Sequence, residues 1–392
     1  MNTGYTARAA TARLARLLRV FPAVLLYGPR QSGKSTLVRR ALPGWDHLDL
    51  ERPADLGALT ADLEGYFDAH PRRVVLDEAQ RLPELFPVLR HVIDRSQARG
   101  RFVLLGSASP PLLRTASETL AGRLGMLELT PFRAVELAGT RKVNDRWFWG
   151  GYPTPHRLRG VAPRGEWFDS YISTFLERDL PALGLSLPAA RLRVLWTMLT
   201  HVHGNLLNVS DLARSLAVSV HTVNGYLDVL ESTFMIRRLR PYFANVQKRL
   251  TKSPKVYIRD TGLLHFLAGL RQPRELGTWS RRGSSFEGMV IEELAGLAAD
   301  RLVRPELFFW RTQAGAEVDL LLVSGRRVLP IEIKLGAAVD QYAVAGLRQC
   351  MKDLSLKRGW VVCSAAERRT IGGGIEIVPW SHIVNGNVDL EL

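Results

Sequence analysis

A glycine-rich loop near the amino terminus constrains the fold of this chain more than any other feature of its sequence. The loop reads Gly28-Pro29-Arg30-Gln31-Ser32-Gly33-Lys34-Ser35 and fits the phosphate-loop pattern G-x-x-x-x-G-K-[ST] at every position. The apolar residues 23–27 before it predict a buried strand, and residues 35–42 after it predict a helix. A strand, a phosphate loop and a helix in this order predict an α/β fold built on a parallel sheet.

The residue types in this loop suit a bound triphosphate. Gly28 and Gly33 let the backbone curl so that successive N–H groups point at an anion, and the following helix adds its positive dipole end. Lys34 supplies a charge for the β and γ phosphates, and the Ser35 hydroxyl is a ligand for Mg²⁺. We therefore predict ATP and Mg²⁺ as cofactors. The predicted binding residues are Gly28, Pro29, Arg30, Gln31, Ser32, Gly33, Lys34, Ser35 and Thr36, together with Asp77.

A second motif comes at the end of another apolar run. Residues 74–76 are Val-Val-Leu and lead into Asp77 and Glu78, which is a Walker B pattern. Asp77 is expected to hold Mg²⁺ together with Ser35, and Glu78 is expected to orient and deprotonate the attacking water. The plainer interpretation is an acidic helix start after a buried strand. Downstream of a phosphate loop the hydrolytic interpretation is favoured, so Lys34 and Glu78 are predicted to be catalytic.

Together with two later segments, these motifs resemble a group of prokaryotic ATPases. The segments are Trp149-Gly150-Gly151-Tyr152-Pro153 and Phe175-Leu176-Glu177-Arg178-Asp179-Leu180. The group consists of AAA-family (AAA+ type) ATPases with an uncharacterised carboxyl-terminal domain. The resemblance implies that Ser107, at a strand end, senses the γ-phosphate or the lytic water. It also implies a homo-oligomer, with a hexamer favoured, in which Arg123 acts as an arginine finger on a neighbouring subunit. The alternative for Arg123 is a solvated surface arginine.

Length and composition limit the class of protein. At 392 residues the chain is long enough for two or three domains. Apolar runs stay shorter than about 18 residues, so no membrane span is predicted. The two cysteines, Cys350 and Cys363, form no disulfide framework and predict a cytoplasmic location. The net charge of +15 favours a polyanionic partner such as DNA, although a genome that favours arginine would also produce it.

The middle of the chain has the pattern of a winged helix. Residues 209–218 and 219–230 have helix-turn-helix spacing, with Ser210 or Asp211 as the predicted N-cap of the first helix. Residues 234–240 and 255–258 read as two strands around a basic loop. Side chains of the second helix would reach bases or phosphates, and the basic wing would bind phosphates without sequence preference. The alternative is a winged helix that only packs against its own chain. The predicted wing also carries Lys255 as a basic residue. The predicted DNA-binding residues are Arg237, Arg238, Arg240, Lys248, Arg249 and Lys252.

The carboxyl-terminal third resembles the PD-(D/E)xK nuclease core. Glu287 lies on a predicted helix, Asp319 on a strand, and Glu332 and Lys334 two residues apart on the next strand. Two carboxylates and a lysine around one point are expected to bind a divalent metal and polarise a water. Val318 stands where the motif has proline, and such a domain often survives as a module without cleavage activity. A plain ion pair between Glu332 and Lys334 is the alternative.

These observations predict four domains and one main function. The domains are an AAA+ P-loop ATPase at 1–140, a helical connector at 141–207, a winged helix at 208–272 and a nuclease-like α/β domain at 283–392. The predicted function is a DNA-binding ATPase, a ring oligomer that couples hydrolysis to remodelling of forked or four-way DNA. One alternative is a nucleotide-controlled switch that binds protein or operator DNA, and another is a Mg²⁺-dependent nuclease regulated by its ATPase domain.

Overall fold

The structure is a computed structural model that divides into two compact units. It describes residues 5–96, 98–107, 110–140, 142–182, 188–242, 253–339 and 344–390, without the side chains at 107, 110–114, 142–144 and 182. The first unit comprises Met1–Phe132 with Ser232–Phe234, and the second comprises Arg133–Glu231 with Met235–Leu392.

The first unit is built on a five-stranded parallel sheet. Its strands are β1 (Ala23–Gly28), β2 (Asp46–Asp49), β3 (Val74–Asp77), β4 (Phe102–Ser107) and β5 (Leu124–Glu128), in the order β2-β3-β4-β1-β5. Its helices are α1 (Ala10–Val20), α2 (Lys34–Ala41), α3 (Pro53–Ala61), α4 (Leu63–Ala69), α5 (Leu85–Ser96) and α6 (Pro110–Thr119). The predicted α/β fold with a parallel sheet is confirmed for this unit.

Alternation along the strands gives this sheet a core on each face. In β1, Val24 and Leu26 belong to a core with residues of α1 and α2, whereas Ala23 and Leu25 belong to a core with residues of α5. Successive strand residues point to opposite faces, so an almost continuous apolar strand is needed where helices cover both faces. Because β1 lies between β4 and β5, this burial fixes the position of the loop that follows it.

The second unit combines many helices with a mixed sheet. Its helices are α7 (Ala134–Leu137), α8 (Lys142–Trp149), α9 (Val161–Thr174), α10 (Leu180–Ala182), α11 (Ala189–His201), α12 (Val209–Leu216), α13 (Val220–Ser232), α14 (Thr261–Leu267), α15 (Arg282–Arg301), α16 (Ala345–Asp353) and α17 (Trp380–Val384). Its strands are β6 (Ile236–Pro241), β7 (Lys255–Ile258), β8 (Glu306–Arg311), β9 (Glu317–Ser324), β10 (Arg327–Ile333), β11 (Gly359–Cys363), β12 (Arg369–Thr370) and β13 (Ile375–Pro379).

One sheet runs through the whole second unit. Its order is β12-β13-β11-β10-β9-β8-β6-β7, and β6 pairs in parallel with β8 through Arg240 opposite Phe308. The two strands predicted for the wing are therefore an extension of the carboxyl-terminal sheet. A single hydrophobic core also joins residues from Phe148 to Leu276, across the predicted connector and helix-turn-helix. The predicted segments 141–207, 208–272 and 283–392 thus share one unit, because non-local strand pairing and core packing link them.

Some predicted element ends differ in the structure. Helix α12 is capped by Asn208, whose side chain accepts from the N–H of Asp211, and not by Ser210 or Asp211 as the sequence predicts. An asparagine two residues before Ser210 is an equally good cap, and the local pattern alone does not distinguish these positions. Within the described part of the chain, no helix has the length and apolar character to cross a bilayer.

Candidate functional site

The phosphate loop spans the turn from β1 into α2 and has the backbone conformation that its glycines allow. Gly28 ends β1 with φ +151°, Gln31 has φ +58°, and Gly33 has φ +95° at the start of α2. A Cβ added at Gly28 would lie 2.3 Å from the carbonyl oxygen of Leu129, so a side chain does not fit there. The backbone conformation at Gly28 and Gly33 therefore favours glycine at both positions of the motif.

The Lys34 ammonium lies inside the loop. It donates hydrogen bonds to the carbonyl oxygens of Gly28 (3.1 Å) and Pro29 (3.0 Å), and the residue is only 8% exposed. Burial lowers the pKa of Lys34 from 10.5 to about 8, although the Glu78 and Asp77 carboxylates oppose this shift. A buried cation that donates to carbonyl oxygens of its own loop is suited to attract an anion.

Ser35 and Asp77 meet beside the loop. The Ser35 hydroxyl donates to Oδ2 of Asp77 at 2.7 Å, although 42 residues separate them in sequence. Burial raises the pKa of Asp77, while the hydrogen bond from Ser35 opposes that shift. The parallel register of the sheet places both residues at the carboxyl edge, where β1 ends at Gly28 and β3 ends at Asp77. The predicted pair of magnesium ligands is therefore brought together.

Glu78 follows directly at the same edge. Its backbone is left-handed with φ +55°, its N–H donates to Asp77 Oδ1 at 3.0 Å, and its carboxylate accepts a hydrogen bond from the Gln80 amide. A non-glycine residue with positive φ is uncommon and marks a position held by its surroundings. The motif does not predict the contact with Gln80, because it depends on the turn Ala79–Arg81.

The residues at this edge fit a nucleotide and Mg²⁺. The donor set is a hydroxyl and a carboxylate, which are hard oxygen ligands of the kind that Mg²⁺ takes. The Ser32 hydroxyl is fully buried in the loop and has no hydrogen-bond partner among the described residues. That buried donor, the inward ammonium of Lys34 and the loop N–H groups suit a polyphosphate.

Arg8 holds the loop from outside the motif. It is buried, and its guanidinium donates to the carbonyl oxygens of Ser32 (2.8 Å) and Thr130 (2.5 Å). It thus ties the loop to the segment that follows β5. The sequence offers no signal for this role, because Arg8 stands 24 residues before Ser32 in an arginine-rich segment.

The two residues implied by the family resemblance have different surroundings. Ser107 is the last residue of β4 and is paired with Gly28, beside the loop, but its side chain lies outside the described part of the structure. Arg123 is one-third exposed and forms a two-pronged ion pair with Asp94, at 2.5 and 2.9 Å. This pair lowers the pKa of Asp94 and raises that of Arg123. The sequence does not predict the Asp94 partner.

The predicted DNA-binding residues are mostly engaged or not described. Arg237 pairs with the buried Glu292, and Arg238 pairs with Asp228 and Glu231 at 2.5 to 2.7 Å. Their charges are thereby compensated within the second unit, which argues against free phosphate contacts. Arg240 is exposed. Lys248, Arg249 and Lys252 lie outside the described residues.

The predicted metal residues of the second unit meet, but around a lysine. The Lys255 ammonium lies 2.5 Å from Glu317, 3.2 Å from Glu287 and 3.4 Å from Asp319. We call these four residues the Lys255 cluster. The sequence interpretation placed Lys255 among the basic residues of the wing. The structure corrects the placement of Lys255. Strand β7 pairs with β6 in the sheet, and the Lys255 side chain lies in the interior of the second unit, where it is 3% exposed.

Glu332 and Lys334 lie beside this cluster as an ion pair. The Lys334 ammonium is 2.5 Å from Glu332 Oε1, and the N–H of Ile333 donates to Asp319 Oδ2 at 2.9 Å. Burial first, and then Asp319, raise the pKa of Glu332, while the charge and hydrogen bond of Lys334 oppose the shift. Within the described ranges, no three acidic, histidine or cysteine side chains are arranged to hold a metal ion. The plain ion-pair alternative for Glu332 and Lys334 therefore agrees with the contacts.

Three family models match successive parts of the chain. Residues 20–138 match the model described as "AAA domain". Residues 140–274 match "Domain of unknown function (DUF8612)", and residues 282–383 match "Domain of unknown function (DUF4143)". The first match agrees with the phosphate loop and parallel sheet, so the amino-terminal part is an AAA-family P-loop module.

Relatives and solved structures extend the comparison. "Uncharacterized protein Rv2008c" of Mycobacterium tuberculosis and "Uncharacterized protein Mb2031c" of Mycobacterium bovis are each 42% identical over 386 residues, 97% of this chain and 86% of the relative. The Walker-type ATPase PABY2304 of Pyrococcus abyssi is 17% identical with a TM-score of 0.47, over 67% of this chain and 96% of its own. The Bacillus subtilis DNA clamp loader delta protein YqeN is 15% identical with a TM-score of 0.27, over 57% of this chain and 88% of its own.

Proposed function

Since this chain belongs to the same family as the two mycobacterial proteins and carries an AAA-family P-loop module, we propose that it binds and hydrolyses ATP. The observation that carries the proposal is the contact of Ser35 with Asp77, beside a loop that encloses the Lys34 ammonium. A hydroxyl, a carboxylate and a buried cation at one strand edge are the groups that phosphoryl transfer requires.

Each residue has a separate role in this proposal. The loop N–H groups and Lys34 bind the phosphates, and Lys34 exchanges its carbonyl contacts for phosphate oxygens. Ser35 and Asp77 would hold Mg²⁺, which when bound would supply positive charge next to the phosphates. Glu78 accepts a proton from the water that attacks the terminal phosphorus, whose bond to the bridging oxygen breaks to give ADP and phosphate. Ser107 orients that water, and Arg123 completes the site from a neighbouring subunit.

Two substitutions test the roles of Lys34 and Glu78. Lys34→Ala should abolish nucleotide binding, and Glu78→Gln should bind ATP normally but hydrolyse it about 10²–10⁴-fold more slowly, which is the usual contribution of a general base. Binding is measured with a fluorescent nucleotide and turnover by phosphate release. Lys352→Ala, at an exposed position of α16, is the matched control. Normal turnover by Lys34→Ala would overturn the site, and normal turnover by Glu78→Gln would move the base elsewhere.

We propose DNA as the partner that the hydrolysis acts on. The support is the net charge of +15, and the sequence α12, α13, β6, β7, in which two helices precede an antiparallel strand pair as in a winged helix. His221 near the start of α13 and Arg240 on β6 are exposed. We propose these residues, with positions 248, 249 and 252, as the contact surface. Phosphate contacts of this kind weaken as salt increases.

The DNA proposal is tested by ATPase rate and oligomer mass measured together. Turnover is compared without DNA and with single-stranded, duplex, forked and four-way DNA, while light scattering reports whether a hexamer forms. Stimulation by forked or four-way DNA is expected for a remodelling motor in the cytoplasm. Arg240→Gln should lower the slope of log affinity against log salt by about one. A slow rate indifferent to every DNA would instead support a nucleotide-controlled switch that binds protein.

A further inference from the structure

The Lys255 cluster joins residues from three elements of the second unit. Lys255 is the first residue of β7, Glu287 lies on α15, and Glu317 and Asp319 lie two residues apart on β9. Residues two apart on a strand share a face, so β9 presents two carboxylates on the same side. The third carboxylate comes from the helix. The cluster is therefore a product of tertiary packing.

The three carboxylates face one buried ammonium, that of Lys255, and Glu317 also pairs with the more exposed Arg311 at 2.8 Å. The side chain of Asp319 is 11% exposed, that of Glu287 is 14% exposed and that of Glu317 is 26% exposed. Like charges held this close and partly out of water repel one another strongly unless a cation lies between them. The Lys255 ammonium takes that position, with an oxygen of each of the three within 3.4 Å.

The groups around the Lys255 ammonium add a hydrogen bond and favour its positive charge. The Tyr257 hydroxyl donates a hydrogen bond to Glu287, on the same carboxylate oxygen that faces Lys255. Burial opposes the charge of Lys255, yet Glu287, Tyr257, Asp319 and Glu317 together raise its pKa well above the usual value. The neighbouring carboxylates thus favour the charged form of Lys255.

A divalent cation does not fit these residues as they stand. Mg²⁺ and Mn²⁺ need about six oxygen ligands at roughly 2.0–2.3 Å, contributed from all sides. Here the oxygens face the Lys255 ammonium, and Asp319 Oδ2 is also used by the N–H of Ile333. Glu332, the remaining predicted ligand, is paired with Lys334. The divalent-metal site implied by the nuclease resemblance therefore does not fit the arrangement of these carboxylates.

We propose that the Lys255 ammonium is a built-in counter-ion that takes the place of a divalent cation, so that the carboxyl-terminal acidic site is structural. The site then holds the sheet and α15 together, binds neither Mg²⁺ nor Mn²⁺, and cleaves no DNA. This proposal does not rest on ATP hydrolysis, because all four residues lie in the second unit and none belongs to the phosphate loop.

The first test uses the full wild-type chain without nucleotide. Manganese binding is followed by electron paramagnetic resonance, with Asp319→Asn as the comparison. We expect wild type to have no Mn²⁺ site that is both tighter than about 1 mM and lost in Asp319→Asn. Wild type should also leave duplex and forked DNA intact in the presence of Mn²⁺. A stoichiometric Mn²⁺ site that Asp319→Asn abolishes would overturn the proposal. Binding at Ser35 and Asp77 is distinguished by being unaffected in that variant.

The second test removes the internal cation. Lys255→Met leaves the carboxylates unbalanced, so the variant should unfold at a lower temperature in a chelator and be restored by Mn²⁺, binding it at least about tenfold more tightly than wild type. Lys255→Met/Asp319→Asn should lose that binding, and Lys334→Met should not gain it. A folded Lys255→Met protein with no gain in Mn²⁺ binding would contradict the proposal. If Lys255→Met folds in neither condition, the wild-type measurement alone decides.

Discussion

Adding one methyl group at Gly28 should displace the phosphate loop without removing any group that touches a nucleotide. In the structure Gly28 has φ +151°, and a Cβ there would lie 2.3 Å from the backbone oxygen of Leu129. Leu129 is itself held, because its N–H donates to the Tyr27 carbonyl at 2.7 Å. The added carbon would meet backbone atoms of Leu129 and not the end of a flexible side chain. Either β1 or the segment after β5 must therefore move.

The magnitude follows from two separate costs. A left-handed or mirror-region φ costs an alanine about 1–2 kcal/mol, and forcing an extra carbon into a packed site costs a further 1–3 kcal/mol or so. Gly28→Ala should thus lower the free energy of unfolding by about 2–5 kcal/mol. Gly44→Ala is the matched control, since Gly44 has φ +81° but nothing within 4 Å of the added carbon, so only the first cost applies.

Thermal unfolding and nucleotide affinity together provide the assay. With about 2–4 °C per kcal/mol for a unit of this size, Gly28→Ala should unfold several degrees below Gly44→Ala. If displacement of the loop removes about 1.4 kcal/mol of binding free energy, ATP binds about tenfold more weakly to Gly28→Ala. Its affinity for Gly44→Ala should stay unchanged. Equal melting temperatures and equal affinities in the two variants would refute the reasoning from the Leu129 contact.

Three further predictions concern a buried carboxylate, a buried histidine and the mixing of two inactive variants. Glu292→Gln should destabilise the second unit by about 3–5 kcal/mol in urea unfolding, because it removes the buried carboxylate that pairs with the Arg237 and Arg259 guanidiniums. Glu376→Gln, in a more exposed ion pair, should cost at most about 1 kcal/mol. Equal losses of stability in the two variants would contradict this reasoning. Burial lowers the pKa of His265 from 6.5 to about 4, so the unfolded chain binds the extra proton first and His265 lowers stability as the pH falls below 6.5. The dependence of unfolding free energy on pH in His265→Gln should differ from wild type by about 1.4 kcal/mol per pH unit between pH 6 and pH 4.5, and an unchanged slope would show that His265 is not the group. Mixing Arg123→Ala with Lys34→Ala protein should restore part of the ATPase rate if Arg123 leaves Asp94 to act on a neighbouring subunit, and no restoration at concentrations that assemble would count against that role.

Much of the first unit could be predicted from sequence because its signals are local. The phosphate loop, the apolar run before it and the Asp77-Glu78 pair each lie within a few residues. Parallel strands then have to meet at one edge, and this brings Ser35 to Asp77 across 42 residues of sequence. Gln80 and Arg8 were missed, since hydrogen bonds to a carboxylate and to backbone oxygens leave no pattern in the neighbouring residues.

The sequence by itself thus determined the nucleotide loop, its carboxylates and the alternation of strands and helices around them, because each is specified by backbone geometry and short-range periodicity. Only the tertiary structure decided how the charges of the second unit are used. The sequence counts Arg237, Arg238 and Lys255 as free cations of a wing, but packing pairs them with Glu292, Glu231 and Glu287, respectively. The physical reason is that a buried charge is stable only beside an opposite charge, and which residues become neighbours depends on the pairing of β6 with β8 and the position of α15.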